Sequence, residues 1–229
     1  MKRFYTAASV TGTAAPFGVA LDGRAMRTPA RASLALPTRA LAEAVVAEWQ
    51  AQGDIIDPRS MPLTGLGNAA VDHVAPDTAG FADGLSLYAQ NELLAYRADG
   101  PAPLAARQAA VWDPLLAWAR QRYDIDFTIV TGIIHRDQPA PMLARVAAAY
   151  RGFDAFTLAA LNPVVTISGS AIIGLAVAAG EIDADAAWLA GHLDELWQAE
   201  HWGKDPLAEA GHAERRRDLA AATELLRLL

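Results

Sequence analysis

The spacing of apolar residues changes near residue 38. Before that point the apolar residues form short runs at 17–21, 25–28 and 33–36, and each run is followed by a turn residue or a proline. The first run is closed by Asp22 and Gly23, and Asp-Gly between two strand-like runs is a strong hairpin signal. The pattern predicts a small β domain over residues 1–37.

From Thr38 onward the apolar residues recur every three or four positions, which is the period of a helix packed on one face. Thr38 is a good N-cap residue, and the helix behind it is predicted to end near Gly53. Gly203 predicts the end of a helix that Asp183 begins. Together the patterns predict an α+β fold, with a small N-terminal β domain (1–37) followed by a larger mainly α-helical domain (38–229). The predicted helices cover 63–74, 81–96, 104–123 with a break or kink at Pro114, 139–150, parts of 154–180, 183–202 and 206–228, and a short strand covers 127–130.

Charge is unevenly distributed along the chain. The first forty residues carry six basic side chains and one acidic one, so the remainder holds a net charge of −12 within a total of −7. Phosphate binding needs a concentrated basic face, so this acidic body argues against a nucleic-acid partner. The chain contains no cysteine, which excludes disulfides and thiolate chemistry.

The uncharged stretch at 155–180 is the one segment long enough to suggest a membrane span. Asn162 and Pro163 interrupt it, and no Lys/Arg cluster flanks it. The sequence therefore favours a buried helical hairpin without stable membrane insertion. The first residues lack the apolar run of a secretory signal, so a cytoplasmic location is expected.

No motif for catalysis or cofactor binding stands out. His192 and Glu195 lie one helical turn apart, but a metal site needs a third ligand, and a surface polar pair is the favoured interpretation. Ser168 and Ser170 flank a glycine without the Gly-x-Ser-x-Gly frame of hydrolases, and no phosphate-binding glycine loop occurs. We therefore predict no metal and no cofactor. An enzyme of unknown class, with a pocket between the two domains, stays open as an alternative.

The segment 188–202 carries the most informative pattern. Helical spacing places Trp188, His192, Glu195, Ala199 and Trp202 on one face. An exposed face of this kind would be an aromatic surface with one fixed charge, which is typical of partner binding. The other interpretation is that the tryptophans belong to the core and that Glu195 lies at its edge. The sequence leaves both open.

A series of short motifs occurs in a fixed order between residues 21 and 205. None is decisive alone, but together they resemble the chaperones that act on the alpha subunit during assembly of the catalytic F1 head of ATP synthase. The motifs are Leu21-Asp22-Gly23-Arg24, Thr28-Pro29, Leu36-Pro37-Thr38, Leu41-Ala42, Glu48-Trp49 with Gln52, Met61-Pro62-Leu63-Thr64, Asp72, Tyr88-Ala89, Glu92-Leu93-Leu94, Tyr96-Arg97-Ala98, Gln108, Trp112-Asp113-Pro114, Trp118, Asp194-Glu195, Gln198 and Trp202-Gly203 with Asp205.

The resemblance implies a β-then-α fold without catalysis. It also implies a client, the alpha subunit, whose subunit interface is shielded until the beta subunit replaces the chaperone. A bacterial member is expected, since a mitochondrial targeting extension is absent. The free protein is expected to be a monomer, and a scaffold for some other partner stays open. Glu195 matches the family's functional glutamate, as a contact or hinge residue. The residues expected around it in partner binding are Asp194, Gln198, Trp202 and Asp205, and those expected to hold the fold are Trp49, Asp72, Arg97, Trp112 and Asp113.

Overall fold

The computed structural model describes residues 1–132, 134–203 and 206–229, and these form two compact units. Unit 1 comprises Met1–Thr78, Asp154–Ala160 and Glu224–Leu229. Unit 2 comprises Ala79–Phe153 and Leu161–Thr223. The strands lie mainly near the N-terminus and helices make up most of the remainder, so the predicted α+β class is confirmed.

Unit 1 is built on a three-stranded antiparallel sheet. Its strands are β1 (Ala8–Thr11), β2 (Gly18–Leu21) and β3 (Arg24–Ala25), in the order β1-β2-β3. Asp22 and Gly23 form the predicted turn between β2 and β3, and both have positive φ angles, 47° and 77°. Two adjacent positive φ angles match the twist of an antiparallel hairpin, which explains the Asp-Gly signal.

The first helix packs directly on this sheet. Helix α1 (Arg39–Gln50) begins at Thr38 as predicted, since the Thr38 hydroxyl accepts a hydrogen bond from the Leu41 amide at 3.1 Å. Its buried face, which includes Leu41 and Val45, joins the same apolar cluster as the strand residues. The compact unit that holds the strands therefore extends past residue 37, because α1 covers one face of the sheet.

Glu48 on α1 organises the start of the next helix, α2 (Pro62–Ala69). Its carboxylate accepts hydrogen bonds from the Leu63 and Thr64 amides at 2.7 and 2.8 Å, and from the Thr64 hydroxyl at 2.7 Å. These bonds satisfy amide groups that the first turn of a helix leaves free. The helix then continues as a π-helical turn over Ala70–Val74.

Unit 2 holds most of the helices around one that is buried on all sides. That helix is α7 (Ala171–Ala178). Every residue from Ala171 to Val177 is buried, and the helix contacts three neighbouring helices. None of the helices in the described part of the chain is long and apolar enough to cross a membrane. The remaining elements are α3 (Thr78–Ser86), β4 (Tyr96–Arg97), α4 (Ala102–Tyr123), β5 (Val130–Thr131), α5 (Ala140–Arg151), α6 (Ala155–Ser168), α7 (Ala171–Ala178), α8 (Ala184–Gly191), α9 (Leu193–Trp202) and α10 (Pro206–Leu228).

Two helices predicted between residues 81 and 123 differ from the structure. The helix predicted at 81–96 ends at Ser86 and continues as 3-10 turns. Of the break or kink predicted at Pro114, the break is wrong, because α4 runs through that residue. Proline inside a helix costs about 3 kcal/mol. Burial of Trp112 and Leu115, on either side of it, offsets that cost.

The 3-10 segment carries a buried carboxyl group that connects it to α7. Glu92 is 0% exposed, and its carboxylate accepts hydrogen bonds from the Leu94 and Ile172 amides, each at 3.3 Å. Burial raises the pKa of Glu92 to about 7, although hydrogen bonds from Ser170 and from backbone amides oppose the shift. The proton that Glu92 binds in the folded state is therefore released near neutral pH.

We expect Glu92 to make unit 2 less stable as pH rises. The folded state keeps this proton up to about pH 7, whereas an unfolded chain releases it near pH 4.5, so the contribution declines between those values. The full change is on the order of 3 kcal/mol. Denaturant unfolding of wild type and Glu92→Gln at several pH values checks this: the difference between the two proteins should follow that window. A difference that is constant with pH contradicts it.

Candidate functional site

The candidate site begins at a break between α8 and α9. Asp183 caps α8 as predicted, accepting a hydrogen bond from the Ala186 amide at 2.8 Å. The single helix predicted over 183–202 is wrong, because the chain leaves helical geometry at His192 (φ −121°, ψ 20°). A Cβ at Gly191 would lie 2.8 Å from that of Ser168, so only glycine allows the end of α8 to approach Ser168 this closely.

The break separates the aromatic residues into buried and exposed ones. Trp188 and His192 are 6% and 3% exposed and stack with their ring centroids 3.6 Å apart. Burial lowers the pKa of His192, which favours its neutral form. Trp202, at the far end of α9, is 78% exposed. The interpretation of a buried core face therefore describes Trp188 and His192, and the interpretation of an exposed face describes Trp202.

The exposed part forms a shallow surface that we call the α9–α10 patch. It surrounds an open depression of about 460 Å³. The α9 side provides Glu195, Gln198 and Trp202, three of the five residues that the sequence predicts for partner binding, and the α10 side provides His212 and Arg215. Asp205, a fourth member of that set, lies outside the described residues.

Glu195 is held in place by a residue of the neighbouring helix. Its carboxylate lies 3.0 Å from Nε2 of His212. The His212 ring makes edge contacts with the rings of Trp188 and His192, each with centroids 5.7 Å apart. The Glu195 carboxylate is thus half-exposed to solvent, while its partner rests on the buried aromatic pair. The charge at the centre of the α9–α10 patch has a defined position.

Asp194 has a different environment from its neighbour. It accepts a hydrogen bond at 2.8 Å from the side-chain amide of Gln108, which is 1% exposed. The oxygen of the same amide accepts a hydrogen bond from the Ala98 amide at 2.8 Å. Adjacent helical residues point about 100° apart, which explains why Glu195 faces the patch and Asp194 faces α4.

A second contact with α4 was not predicted from the sequence. Arg107 makes two hydrogen bonds to the carboxylate of Glu200, at 2.6 and 2.9 Å. Its guanidinium also lies 6.0 Å from the centre of the Trp197 ring. His212, Arg215 and Arg107 all lie far in sequence from the α9 residues that they adjoin, so no local spacing identifies them.

The residues predicted to hold the fold of unit 2 lie together. The Arg97 guanidinium contacts Asp113 at 2.6 Å and lies 5.2 Å from the centre of the Trp112 ring. Trp112 is 1% exposed, and its indole N–H donates to the Ala190 carbonyl at 2.9 Å. This cluster links β4, α4 and the end of α8, just before the break that begins the site.

The two predicted structural residues of unit 1 have distinct surroundings. Asp72 accepts hydrogen bonds from the Thr28 hydroxyl at 2.5 Å and from the Ala30 amide at 2.9 Å, and the Thr28 bond is the main cause of its lowered pKa. Trp49 packs edge-on against Tyr5 with ring centroids 5.5 Å apart. Its indole N–H is buried and has no hydrogen-bond partner among the described residues.

The described residues show no arrangement for the chemistry considered above. No group of three or more His, Cys, Asp or Glu residues among them could hold a metal ion. The Ser168 hydroxyl donates to the Val164 carbonyl at 2.6 Å, and Ser170 uses its hydroxyl to accept from the Ile173 amide. Both serines are buried; Ser170 caps α7, and Ser168 is the last residue of α6.

Comparison with known proteins assigns a family to this chain. Residues 2–120 match the model of the ATP12 chaperone protein family. The chain belongs to the ATP12 chaperone family. The resemblance found in the sequence is thereby confirmed, and membership supports a role in ATP synthase assembly.

Two crystal structures match nearly the whole chain. Atp12 from Paracoccus denitrificans has a TM-score of 0.94 and 40% identity, covering 99% of this chain and 97% of that one. The Atu1473 protein of Agrobacterium tumefaciens has a TM-score of 0.93 and 39% identity, covering 99% of this chain and 85% of that one. The α9–α10 patch lies beyond the residues matched by the ATP12 family model but within a fold shared with both structures.

We expect Trp112→Phe to lower the free energy of unfolding by about 2 kcal/mol, because it removes the indole N–H and leaves the Ala190 carbonyl without this partner. Denaturant unfolding measures the change. Trp118→Phe is the matched control: Trp118 is only partly buried, and no hydrogen bond from its indole is found among the described residues. Equal losses in the two variants contradict a special role for the Trp112 bond.

Proposed function

We propose that this ATP12-family protein is an assembly chaperone that binds the alpha subunit of the F1 part of ATP synthase. It shields the subunit interface of its client until the beta subunit replaces it, and it does so without catalysis. Membership in the ATP12 chaperone family supports the assembly role. The observation that carries the choice of binding surface is the α9–α10 patch, where an exposed tryptophan adjoins a positioned carboxylate.

The α9–α10 patch has the features of a protein-binding surface. Trp202 is the most exposed large hydrophobic residue in the described part of the chain, at 78%. Aromatic side chains supply much of the energy at protein interfaces because they bury a large area with few rotatable bonds. Covering Trp202 with an apolar surface of the client would remove that area from water.

Glu195 fixes the orientation of the client at this contact. A carboxylate that His212 already holds loses little freedom when it binds a positively charged group of the client. Such charge pairs fix the register of an interface and exclude wrong partners. Glu195 is therefore the proposed contact residue, with Gln198 and Trp202 beside it and Asp205 in the segment that follows α9.

The mechanism requires a contact that is weaker than the one that replaces it. An open depression with one tryptophan and one carboxylate is a small site compared with a stable subunit interface, which buries about 1,600 Å² or more. A chaperone bound through such a site prevents aggregation of an exposed apolar face and still yields to a larger, better-packed partner. We further propose that the protein is cytoplasmic. We also propose that the free protein is a monomer, since a net charge of −7 opposes self-association.

Co-expression tests the proposal directly. With the alpha subunit expressed alone or together with this protein, we expect wild type to raise the amount of soluble alpha subunit. Glu195→Lys should reduce that gain by about threefold or more, because the new ammonium would face His212 and Arg215 and repel the positive group of the client. Soluble alpha subunit is measured by quantitative immunoblotting of the cleared lysate.

Glu181→Lys is the matched control, because it makes the same charge change at an exposed position of unit 2 outside the patch. Thermal unfolding of both variants checks that they fold. If Glu181→Lys and Glu195→Lys reduce the gain equally, the patch is not the binding surface. If wild type gives no gain, the alpha subunit is not the client.

We also expect Trp202→Ala to weaken binding of purified alpha subunit without lowering the melting temperature. The side chain is largely exposed, so its removal costs the free protein little packing, whereas a covered tryptophan at an interface is worth about 2 kcal/mol or more. Calorimetric titration should therefore show a Kd raised by at least about tenfold. An unchanged Kd excludes Trp202 from the contact.

A further inference from the structure

Unit 1 contains a pocket that the proposed function does not use. Its volume is about 620 Å³, within the range of sites that hold small ligands or short peptide segments. The N-terminal segment, the β2–β3 hairpin, α1 and α2 all contribute to its wall. Its apolar lining includes Phe4, Tyr5, Leu21, Met26 and Trp49.

Two residues of this lining carry unsatisfied polar atoms. The indole N–H of Trp49 and the side-chain oxygen of Asn68 are both buried without a hydrogen-bond partner, and they are the only such side-chain atoms among the residues that the structure describes. Leaving a buried polar group unpaired costs about 1–3 kcal/mol. That both such atoms belong to residues of one pocket indicates a site whose hydrogen bonds are completed by something that binds there.

The two unsatisfied atoms, one a donor and one an acceptor, complement the hydrogen-bonding groups of a peptide unit. Trp49 offers a donor and Asn68 an acceptor, while every peptide group carries one carbonyl acceptor and one N–H donor. Both atoms are covered in the free chain, so a ligand reaches them only after nearby side chains rotate. A backbone segment that inserts an apolar side chain would supply the energy for this rotation by burying that side chain.

The rim of the pocket is basic. Arg24 and Arg27 are exposed at its edge, and Asp22 is the one acidic residue of the lining. The Asp22 carboxylate accepts hydrogen bonds from the Thr6 and Ala7 amides, at 3.0 and 2.8 Å, which lower its pKa. The two arginines lie within the first forty residues, whose net charge is +5 in a chain of total charge −7. The pocket therefore attracts an acidic ligand although the whole protein is acidic.

An aromatic row adds apolar contact area. Phe4 is 63% exposed and packs edge-on against Tyr5 with ring centroids 5.4 Å apart, and Tyr5 packs in turn on Trp49. We infer that this pocket binds an extended segment of a partner protein in which apolar and acidic side chains alternate. An apolar side chain enters the pocket, one peptide group bonds with Trp49 and Asn68, and an acidic side chain pairs with Arg24 or Arg27.

This inference does not require that the segment belong to the alpha subunit, so it is tested with a synthetic probe. The probe is a fluorescein-labelled hexapeptide of alternating Leu and Asp with blocked ends. The reference peptide replaces Asp by Lys. Fluorescence polarisation with the full chain should show saturable binding of the acidic peptide and at least about tenfold weaker binding of the basic one.

Variants locate the site. The double reversal Arg24→Glu with Arg27→Glu should weaken the acidic peptide by at least about tenfold, whereas Arg59→Glu, an exposed arginine of unit 1 outside the pocket, should leave the Kd within about twofold. Trp49→Phe keeps an aromatic ring at this position but removes the indole N–H donor, and it should weaken binding by about threefold to tenfold. Asn68→Ala, which removes the acceptor, should have a similar effect.

Each contrary result overturns the inference. Absence of saturation up to about 1 mM peptide excludes the ligand class, since that concentration corresponds to only about 4 kcal/mol of binding. Equal binding of the two peptides excludes charge recognition. Equal effects of Arg59→Glu and the double reversal place the binding elsewhere. Unchanged affinity in both Trp49→Phe and Asn68→Ala removes the role of the unsatisfied atoms.

Discussion

The close approach of Gly191 to Ser168 is the constraint on which the candidate site depends. No side chain fits between them, and the chain leaves helical geometry at the next residue. Because α8 ends there, Trp188 and His192 stay in the core while Trp202 reaches solvent. In one continuous helix Trp188 and Trp202 would lie on nearly the same side, and both would be buried or both exposed.

The contact between Glu195 and His212 matters more for position than for stability. An exposed pair of this kind contributes at most about 1 kcal/mol to folding. The His212 ring, however, packs on the buried stack of Trp188 and His192. The Glu195 carboxylate that contacts this ring is therefore held in a fixed position. A pre-positioned charge binds with a smaller loss of side-chain entropy, which suits the contact proposed above, one that is specific without being strong.

The parts of the fold that the sequence predicts correctly depend on local chemistry. Thr38 and Asp183 cap helices through bonds three residues away, Asp22 and Gly23 adopt the turn that their residue types favour, and Gly203 ends α9 with a φ of 91°. The parts that the sequence does not reveal depend on distant partners. Gly191 is required by Ser168, Glu92 receives a bond from Ile172, and Glu195 is held by His212. Helical spacing identifies Glu195 and Trp202 as a possible surface, but the division between core and surface follows from tertiary contacts.

The two candidate surfaces differ in the charge that they present. The α9–α10 patch centres on an oriented carboxylate, whereas the pocket of unit 1 has a basic rim and two unsatisfied polar atoms. If both contact one client, the affinities combine although neither contact is strong alone. A competing subunit that displaces one contact then leaves only the other to hold the client. Release by stepwise displacement would need no energy source, because each contact is replaced by a stronger one.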